Sequence, residues 1–254
     1  MRLYGLIGHP LTHSWSERYF NDKFRDQGYT DCQYMNFQIP EIGTLPELIK
    51  EKSELLGFNI TIPYKEKVIP LLHELDLTAS RIGAVNTVIV HRNESQFWLQ
   101  GFNTDYIGFL KSLPADRRFR SALILGTGGA AKAVAFALRS LHVPYYFVSR
   151  NPKKKEWLTY SDLTEDRFQY CDLIINATPL GLYPHIQQKP SLPYEAITPN
   201  HFLFDLIYNP PMTRFLEMGT KQGASVMNGL AMLEFQAEES WNLWNQPTHI
   251  RSSM

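Results

Sequence analysis

The sequence predicts an α/β protein of two domains. Short apolar runs of strand length alternate with amphipathic segments of helical length, a pattern typical of sheets whose parallel strands are joined by helices. The 254 residues amount to about 1.7 times the ~150 residues of an ordinary domain. A polar break at residues 114–118 separates two series of such elements, which favours a second domain beginning nearby.

The first series predicts a mixed sheet. An apolar run at residues 3–8 predicts a strand, and the spacing of Trp15, Tyr19, Phe20 and Phe24 predicts a helix with one apolar face. We then expect a strand at 33–39, a helix at 45–56, a strand at 57–62, a helix at 65–72 entered through Pro63, and a short helix from Asp76 to Gly83. Two β-rich runs, 84–91 and 96–100, joined by the polar residues 92–95, predict a hairpin that breaks the alternation.

The second series predicts a parallel sheet with right-handed crossovers. After a helix at 106–113, we expect strands at 121–125, 145–149, 172–175 and 202–206, and helices at 129–140, 152–158 and 212–221. The last helix, residues 229–244, is expected to pack back on the first domain. We therefore assign residues 1–103 plus 229–254 to one domain and residues 104–228 to the other.

Composition excludes several classes of protein. Lys and Arg number 25, as do Asp and Glu, so no net charge would attract nucleic acid or an anionic membrane. Cys32 and Cys171 form no CxxC pair and are expected as reduced thiols. His9, His13 and His73 lack metal-ligand spacing, so no metal site is expected. Because no apolar run suits a signal peptide or a membrane span, we expect a soluble, cytoplasmic protein. We also expect a monomer or homodimer.

A glycine-rich turn lies between a buried-strand pattern and a helix-forming stretch of the second series. This GxGxxA motif consists of Gly126, Thr127, Gly128, Gly129, Ala130 and Ala131. Gly126 permits the tight turn, Gly128 lets the backbone approach a pyrophosphate, and Ala131 allows the helix to pack closely on the sheet. The N–H groups at the helix start would hold the anion. The motif predicts a Rossmann-like dinucleotide-binding domain, the alternative being a turn that only reverses the chain.

The end of the next strand indicates which dinucleotide is bound. An NAD site places Asp or Glu about 20 residues after the glycine motif, whereas this strand runs into Ser149, Arg150 and Asn151. A guanidinium can pair with a 2′-phosphate through its planar fork, and the neighbouring side chains can add hydrogen bonds. NADP is therefore favoured as the cofactor. The alternative is that Arg150 and the lysines at 153–155 form the solvated basic start of a helix.

Polar residues follow the predicted strands of the first domain, where open α/β sheets bind ligands. These residues are Ser14, Ser16, Asn59, Thr61, Lys65, Asn86 and Asp105. Lys65 is the first residue of a predicted helix, where the macrodipole disfavours a cation. We therefore expect the Lys65 ammonium group to have a counter-anion or a role in catalysis. Asp105 is a candidate partner. The serines, Asn59 and Thr61 are alternatively helix caps and turn residues.

Several separated motifs carry a resemblance over nearly the whole chain. They are Ser14-x-Ser16, Asn59-Ile-Thr61-Ile-Pro63-Tyr-Lys65, Gly83-Ala-Val-Asn86-Thr87, Asn103-Thr104-Asp105, Gly126-x-Gly-Gly-Ala-Ala131, Asn176-Ala-Thr178-Pro-Leu-Gly181 and Gly229-Leu-x-Met-Leu-x-x-Gln236. In order and spacing this set resembles the shikimate dehydrogenase family. The resemblance implies reversible, NADP-linked reduction of 3-dehydroshikimate to shikimate, a step toward chorismate and the aromatic amino acids. It also implies a cleft between a substrate domain and an NADP domain.

The resemblance further implies a role for each matching residue. Ser14, Ser16 and Tyr208 would bind the substrate carboxylate. The ring hydroxyls would be held by Asn59, Thr61, Asn86, Asp105 and Gln236. Lys65 and Asp105 would form the catalytic pair, with Lys65 giving a proton to the developing alkoxide. Besides the glycine motif and residues 149–151, the cofactor would contact Thr178, Leu206, Met227 and Gly229.

Two other functions fit the same motifs. One is a quinate/shikimate dehydrogenase, which performs the same chemistry on a substrate with an extra hydroxyl at C1. The other is a non-catalytic NADP-binding sensor on the same scaffold. The family's usual Asn-Arg-Thr is Ser149-Arg150-Asn151 here, which keeps the arginine but leaves the cofactor preference open. The polar stretch 246–254 is short, so the closing helix of the first domain is expected to be abbreviated.

Overall fold

A computed structural model describes residues 1–11, 14–93 and 96–246. The chain divides into two compact units, Met1–Thr104 with Ala237–Met254 (unit 1) and Asp105–Gln236 (unit 2). The sequence places these boundaries after residues 103 and 228. In the structure Thr104 belongs to unit 1, and residues 229–236 belong to unit 2.

Unit 1 is built on a six-stranded mixed sheet, as the predicted hairpin requires. Its strands are β1 (Arg2–Gly8), β2 (Cys32–Gln38), β3 (Leu55–Ile60), β4 (Glu74–Leu75), β5 (Thr87–Arg92) and β6 (Phe97–Phe102), and its helices before residue 105 are α1 (Trp15–Asp26), α2 (Leu45–Glu51) and α3 (Leu77–Ile82). The order across the sheet is β2-β1-β3-β5-β6-β4. Strand β1 is parallel to both neighbours, whereas β5 is antiparallel to β3 and β6.

Polar side chains and one glycine set the ends of two helices in unit 1. The Oγ atom of Ser14 accepts a hydrogen bond from the backbone N–H of Glu17 at the start of α1. The carboxylate of Asp76 accepts two such bonds from the first turn of α3. That helix ends at Gly83, whose φ of 70° lies in the left-handed region that glycine adopts without a steric penalty.

Each face of the unit 1 sheet packs against helices. One face carries Ile7, Phe58 and Val88 beside the helix α2. The other packs on an aromatic cluster, which contains Tyr4, Phe20, Phe24, Tyr34, Trp241 and Trp244. The Nε1 atom of Trp244 donates to the carbonyl of Val88 at 3.0 Å, and its indole lies so close to Gly57 that a side chain there would collide with it.

Unit 2 contains a five-stranded sheet in which every pair is parallel. Its strands are β7 (Ala122–Leu125), β8 (Tyr145–Val148), β9 (Leu173–Asn176), β10 (Phe202–Asp205) and β11 (Ser225–Met227), in the order β11-β10-β9-β7-β8. Its helices are α4 (Asp105–Ser112), α5 (Gly129–Ser140), α6 (Glu165–Tyr170), α7 (Arg214–Lys221) and the first part of α8 (Leu230–Asn245). Strands β7, β9 and β10 are buried throughout, which explains why they are apolar except for Asn176 and Asp205 at their ends.

Two helix predictions in unit 1 are wrong. The helix expected over residues 45–56 ends at Glu51, because residues 55–60 form β3 and pair with β1. The helix expected over 65–72 is a series of turns with a 3₁₀ helix at Ile69–Leu71. Pro70 lies inside that segment and has no N–H group to continue an α-helix. The structure also contains the short strand β4, which the sequence analysis missed.

One helix prediction in unit 2 is wrong for a non-local reason. Residues 152–158 form turns and bends instead of a helix. The N–H of Leu158 donates to the carbonyl of Phe147, and the N–H of Ser149 donates to the carbonyl of Leu158, both at 2.8 Å. These bonds place Leu158 beside β8 as an isolated bridge to Val148, and residues 152–157 form the turns that lead to it. The helix lies later, as α6, where Thr164 caps its start, and strand β11 was also not predicted.

Three further expectations concern thiols, metals and membranes. Cys32 and Cys171 are free thiols. Across the described ranges, no three His, Cys, Asp or Glu side chains are grouped as a metal site. Within the same ranges no helix has both the length and the apolar character needed to cross a bilayer. His13, the centre of the predicted turn at 92–95 and the C-terminal stretch from residue 247 lie outside the described residues.

Candidate active site

Buried amide and hydroxyl side chains form a hydrogen-bonded group where β3 ends and β5 begins. The Nδ2 atom of Asn59 donates to the backbone carbonyl of Asn86 at 3.1 Å and lies 3.2 and 2.9 Å from the hydroxyl oxygens of Thr87 and Ser240. Those two oxygens are 2.8 Å apart, and the hydroxyl of Thr104 is 3.2 Å from each. We call these five buried residues the amide–hydroxyl network.

Asn86 is held in a defined orientation within this network. Its Oδ1 accepts the backbone N–H of Thr104 at 2.6 Å, and its Nδ2 donates to the hydroxyl of Thr104 at 2.9 Å. Its backbone carbonyl also accepts the N–H of Ile60 at 2.8 Å. Because a backbone N–H can only donate, the positions of the amide oxygen and nitrogen of Asn86 follow from these contacts.

Lys65 lies in the turn that follows β3, beside Asn86. Its backbone carbonyl accepts the N–H of Val85 at 2.7 Å. The same turn begins where the N–H of Thr61 donates to the carbonyl of Ile7 at 2.9 Å. The structure therefore brings Asn59, Thr61, Lys65 and Asn86 to one edge of the unit 1 sheet. The helix-macrodipole argument for Lys65 was wrong, because no α-helix begins at this residue.

A buried tyrosine of strand β2 reaches the same edge. The phenol of Tyr34 donates to Oδ1 of Asn59 at 2.9 Å. Burial raises the pKa of the Tyr34 phenol well above its ordinary value, so the phenol stays neutral and keeps its proton. Ser14 is both a predicted site residue and the N-cap of α1.

The glycine turn of unit 2 has the geometry that its sequence predicts. Gly126 follows β7 with a φ of 104°, and a Cβ there would lie 3.0 Å from the carbonyl of Ala177. Gly128 is the N-cap of α5, and within the described residues a Cβ added to it would have no atom within 4 Å. Ala131 is fully buried. The turn thus exposes backbone at Gly128 and the start of α5, which suits a pyrophosphate.

The loops after β9 and β10 are joined by side-chain hydrogen bonds. The Nδ2 atom of Asn176 donates to Oδ1 of Asp205 at 3.0 Å, and the hydroxyl of Thr178 donates to Oδ1 of Asn176 at 2.6 Å. The N–H of Leu206 donates to the carbonyl of Asn176 at 3.0 Å. Thr178 and Leu206 are therefore fixed at the carboxyl-end edge of the parallel sheet, where this type of fold binds its ligands.

Asp205 is a fully buried carboxyl group at the centre of this edge. Burial raises its pKa from 3.8 to about 6, although hydrogen bonds from Thr213, Ile207 and Asn176 oppose the rise. The next loop follows β11, where the N–H of Gly229 donates to the carbonyl of Ile207 at 3.1 Å. A side chain at Gly229 would collide with the backbone of Leu206.

Arg150 is exposed at the end of β8. The Oγ atom of Ser149 accepts the N–H of Asn151 at 3.2 Å, which shapes the turn that carries the guanidinium. Because residues 152–158 are not helical, the alternative of a basic helix start is wrong. The side chain is accessible to an anion at the same sheet edge as the glycine turn.

Comparison with known proteins tests the resemblance directly. Residues 6–88 match the family model of the shikimate dehydrogenase substrate binding domain. A shikimate dehydrogenase (NADP(+)) from Halothermothrix orenii is 38% identical over 94% of this chain and 89% of its own. The chain belongs to the shikimate dehydrogenase family.

Solved structures of shikimate dehydrogenases share the fold. The shikimate 5-dehydrogenase from Thermus thermophilus, in complex with NADP(H) and shikimate, has a TM-score of 0.83 and 34% identity, over 96% of this chain and 94% of that one. A quinate dehydrogenase from Corynebacterium glutamicum, in complex with NAD, has a TM-score of 0.82 and 26% identity, over 96% and 93%. The predicted two-domain α/β fold, with a mixed sheet and a Rossmann-like parallel sheet, is confirmed.

The remaining residues of the shikimate dehydrogenase motifs lie in unit 2. Asp105 is buried as the first residue of α4, where the helix macrodipole favours a carboxylate. Gln236 is buried on α8, and its Nε2 donates to the carbonyl of Leu233 at 2.9 Å. Met227 ends β11, and Tyr208 lies in the loop after β10. Their roles remain those that the family motifs predict.

Sequence reasoning missed three residues that organise these edges. Ser240 and Tyr34 contact Asn59, and Thr213 donates to Oδ2 of Asp205 at 2.5 Å. Ser240 had a usable signal, because it stands four residues after Gln236 and therefore on the same face of a helix. Tyr34 and Thr213 had none, since each meets its partner only after folding.

Proposed function

We propose that this chain catalyses the reversible, NADP-linked reduction of 3-dehydroshikimate to shikimate. The observation that carries the proposal is the convergence of Asn59, Lys65 and Asn86 at one edge of the unit 1 sheet. Two backbone hydrogen bonds and one side-chain bond hold them there. Similarity to shikimate dehydrogenases (NADP(+)) over 94% of the chain supports it. We assign substrate binding to unit 1 and NADP binding to unit 2.

Hydroxyl and amide groups of unit 1 suit a polyhydroxylated acid. The hydroxyls of Ser14 and Ser16 can donate to a carboxylate, which accepts hydrogen bonds without needing an arginine. Asn59, Thr61 and Asn86 offer both donors and acceptors to ring hydroxyls. We propose that Tyr208, Asp105 and Gln236 complete this set, as in the family motif.

The residues of unit 2 fit a phosphorylated dinucleotide. Gly126–Ala131 would hold the pyrophosphate, because the backbone is open at Gly128 and the start of α5 offers N–H groups. Arg150, with Ser149 and Asn151, would hold the 2′-phosphate. Thr178, Leu206, Met227 and Gly229 would hold the nicotinamide end. Hydride transfer to or from C3 of the substrate is the chemistry that NADP supplies when bound.

Lys65 is the proposed proton donor. In the reductive direction its ammonium group gives a proton to the oxygen at C3 as negative charge develops there, and in the oxidative direction its amine takes the proton back. We propose that Asp105 orients the ammonium and a substrate hydroxyl. Loss of a general acid of this kind costs about 10²- to 10⁴-fold in rate.

The decisive experiment measures NADPH formation from shikimate by the purified chain, with quinate and NAD as the other substrate and cofactor. Shikimate with NADP should give the highest kcat/KM. Lys65→Met should lower kcat at least about 100-fold, whereas the same change at the exposed Lys67 should leave it within twofold.

Each other outcome has a defined meaning. Preference for quinate would identify the alternative enzyme, and NADP binding without turnover on either acid would identify a sensor. Equal losses in the two lysine variants would refute the role of Lys65. We further propose that the protein is cytoplasmic, a monomer or homodimer, and binds neither nucleic acid nor membrane.

A further inference from the structure

The hydroxyl of Ser240 is the point at which helix α8 meets the amide–hydroxyl network. Its Oγ atom lies 2.9 Å from Nδ2 of Asn59 and 2.8 and 3.2 Å from the hydroxyl oxygens of Thr87 and Thr104. We propose that Ser240 is a positioning residue, which fixes the amide of Asn59 so that its oxygen is presented to a hydroxyl group of the substrate. The inference rests on the proposed function and adds a residue that lies outside the family motifs.

Two contacts fix the direction in which the amide of Asn59 points. Its Nδ2 atom faces the backbone carbonyl of Asn86 at 3.1 Å, and its Oδ1 atom faces the phenol oxygen of Tyr34 at 2.9 Å. A carbonyl can only accept, so the amide nitrogen lies on the side of Asn86 and the amide oxygen on the side of Tyr34. The assignment of the two amide atoms therefore follows from their surroundings.

Both N–H groups of Asn59 are engaged within unit 1. One donates to the carbonyl of Asn86, and the other donates to the nearest hydroxyl oxygen, that of Ser240, at 2.9 Å, whereas the hydroxyl of Thr87 is 3.2 Å away. The amide oxygen has two lone pairs, and the phenol of Tyr34 uses one of them. Oδ1 is therefore the atom of Asn59 that is left to accept a hydrogen bond from a substrate hydroxyl.

Removing the Ser240 hydroxyl would loosen this arrangement. The oxygen of Thr87, at 3.2 Å, is the next acceptor in the network for the same N–H group, and the amide would have to turn to reach it. A buried N–H without a well-placed acceptor is costly, so the amide would leave the orientation in which Oδ1 meets the substrate. Thr104 extends the effect, because it contacts Ser240 and holds both amide atoms of Asn86.

The unit 1 part of α8 is anchored by contacts other than those of Ser240. The carboxylate of Glu238 accepts hydrogen bonds from Nζ of Lys23 on α1, at 2.8 and 2.9 Å. The Nε1 atom of Trp244 donates to the carbonyl of Val88 at 3.0 Å. Alanine also has the highest helix propensity, so Ser240→Ala should leave the helix in place and remove only the hydroxyl contacts.

Ser112 provides a matched control for the hydroxyl. Ser112 and Ser240 are both buried serines on helices. The hydroxyl of Ser112 donates to the carbonyl of Phe109 in its own helix at 2.8 Å, so this bond orients no side chain of the proposed substrate site. Replacing either serine with alanine removes one hydroxyl group from the interior of the protein.

The test compares steady-state kinetics with shikimate and NADP for the wild type, Ser240→Ala and Ser112→Ala. Ser240→Ala should raise KM for shikimate about 3- to 10-fold, the effect of losing one ordinary hydrogen bond, with kcat and KM for NADP within about twofold. Ser112→Ala should leave all three values within about 1.5-fold. In a double-mutant cycle with Asn59→Ala, the combined rise in KM should be smaller than the product of the single rises, because Ser240 acts through Asn59.

A second variant covers the possibility that Ser240→Ala does not fold. Thr87→Val replaces the hydroxyl with a methyl group of similar size and removes the hydroxyl nearest to that of Ser240, so it should raise KM for shikimate about twofold. An unchanged KM for shikimate in whichever of these two variants folds, equal KM changes in Ser240→Ala and Ser112→Ala, an equal rise of KM for NADP, or fully multiplicative effects with Asn59→Ala would each overturn the positioning role. A wild-type chain inactive on shikimate would instead refute the proposed function, and the inference with it.

Discussion

Replacing Asp205 with asparagine should change how stability depends on pH. The buried carboxyl group accepts hydrogen bonds from Asn176 and Ile207 on Oδ1 and from Thr213 on Oδ2. An asparagine can keep the first two bonds through its amide oxygen, and its NH₂ group can donate to the hydroxyl of Thr213. Asp205→Asn therefore removes a titrating group with little change in shape.

The size and sign of the effect follow from the pKa. Burial raises the pKa of Asp205 from 3.8 to about 6, so between these values the folded chain binds more protons than the unfolded chain. The stability that the neutral form contributes is fully present below pH 3.8 and is lost as the pH rises through about 6. At about 1.4 kcal/mol for each pH unit, the loss approaches roughly 3 kcal/mol.

The assay is urea unfolding followed by far-UV circular dichroism at several values between pH 4 and pH 7. Other groups titrate equally in both proteins, so the difference in unfolding free energy between Asp205→Asn and the wild type isolates Asp205. Between pH 4 and pH 7 the unfolding free energy of the variant should rise relative to that of the wild type by roughly 2.5 kcal/mol, because part of the titration lies below pH 4. The control is Asp76→Asn, because asparagine caps a helix about as well as aspartate. A difference that stays constant with pH for Asp205→Asn would show that the pKa of Asp205 is not raised by folding.

Three other substitutions test separate parts of the structure. Arg150→Ala should lower kcat/KM for NADP about 10- to 100-fold and change kcat/KM for NAD little, because a charge-assisted hydrogen bond is worth about 1.5–3 kcal/mol. An unchanged ratio of the two kcat/KM values would contradict the role of Arg150 in binding the 2′-phosphate. Gly229→Ala should lower the melting temperature by several degrees, since its Cβ would overlap the backbone of Leu206. Gly43 faces open space, so Gly43→Ala should leave the melting temperature unchanged, and equal melting temperatures of the two variants would contradict the predicted overlap. Arg92 donates to two carbonyls at the end of α2, at 2.7 and 3.0 Å, so Arg92→Met should lower the free energy of unfolding in urea by about 1–3 kcal/mol. An unchanged free energy of unfolding would show that these bonds contribute little to stability.

The parallel half of the fold was the easier half to predict from sequence. The central strands β7, β9 and β10 are buried on both faces, so their sequences are apolar up to their last residues. A glycine turn marks where the first of them ends. The errors came from constraints outside the local pattern. Leu158 forms a bridge to β8, and residues 55–60 pair with β1. These contacts override any helical preference of the separate segments.

The candidate site divides in the same way. Asn59, Lys65, Asn86 and the glycine turn stand in motifs whose spacing is visible in the chain. Ser240 contacts Asn59 across 181 positions of sequence, and no local pattern announces such a contact. Tyr34 lies in the edge strand β2, and no local pattern places its phenol beside Asn59, so this contact is visible only in the folded structure.

The contact between Ser240 and Asn59 bears on the order in which the chain matures during synthesis. Unit 2 is continuous in sequence, so it is complete once residue 236 has left the ribosome. Unit 1 must wait for Ser240, Trp241 and Trp244, which finish the amide–hydroxyl network and the aromatic cluster. Unit 1, which contains residues 1–104, is therefore completed after unit 2, and Asn59 reaches its final set of hydrogen bonds only after Ser240 has emerged.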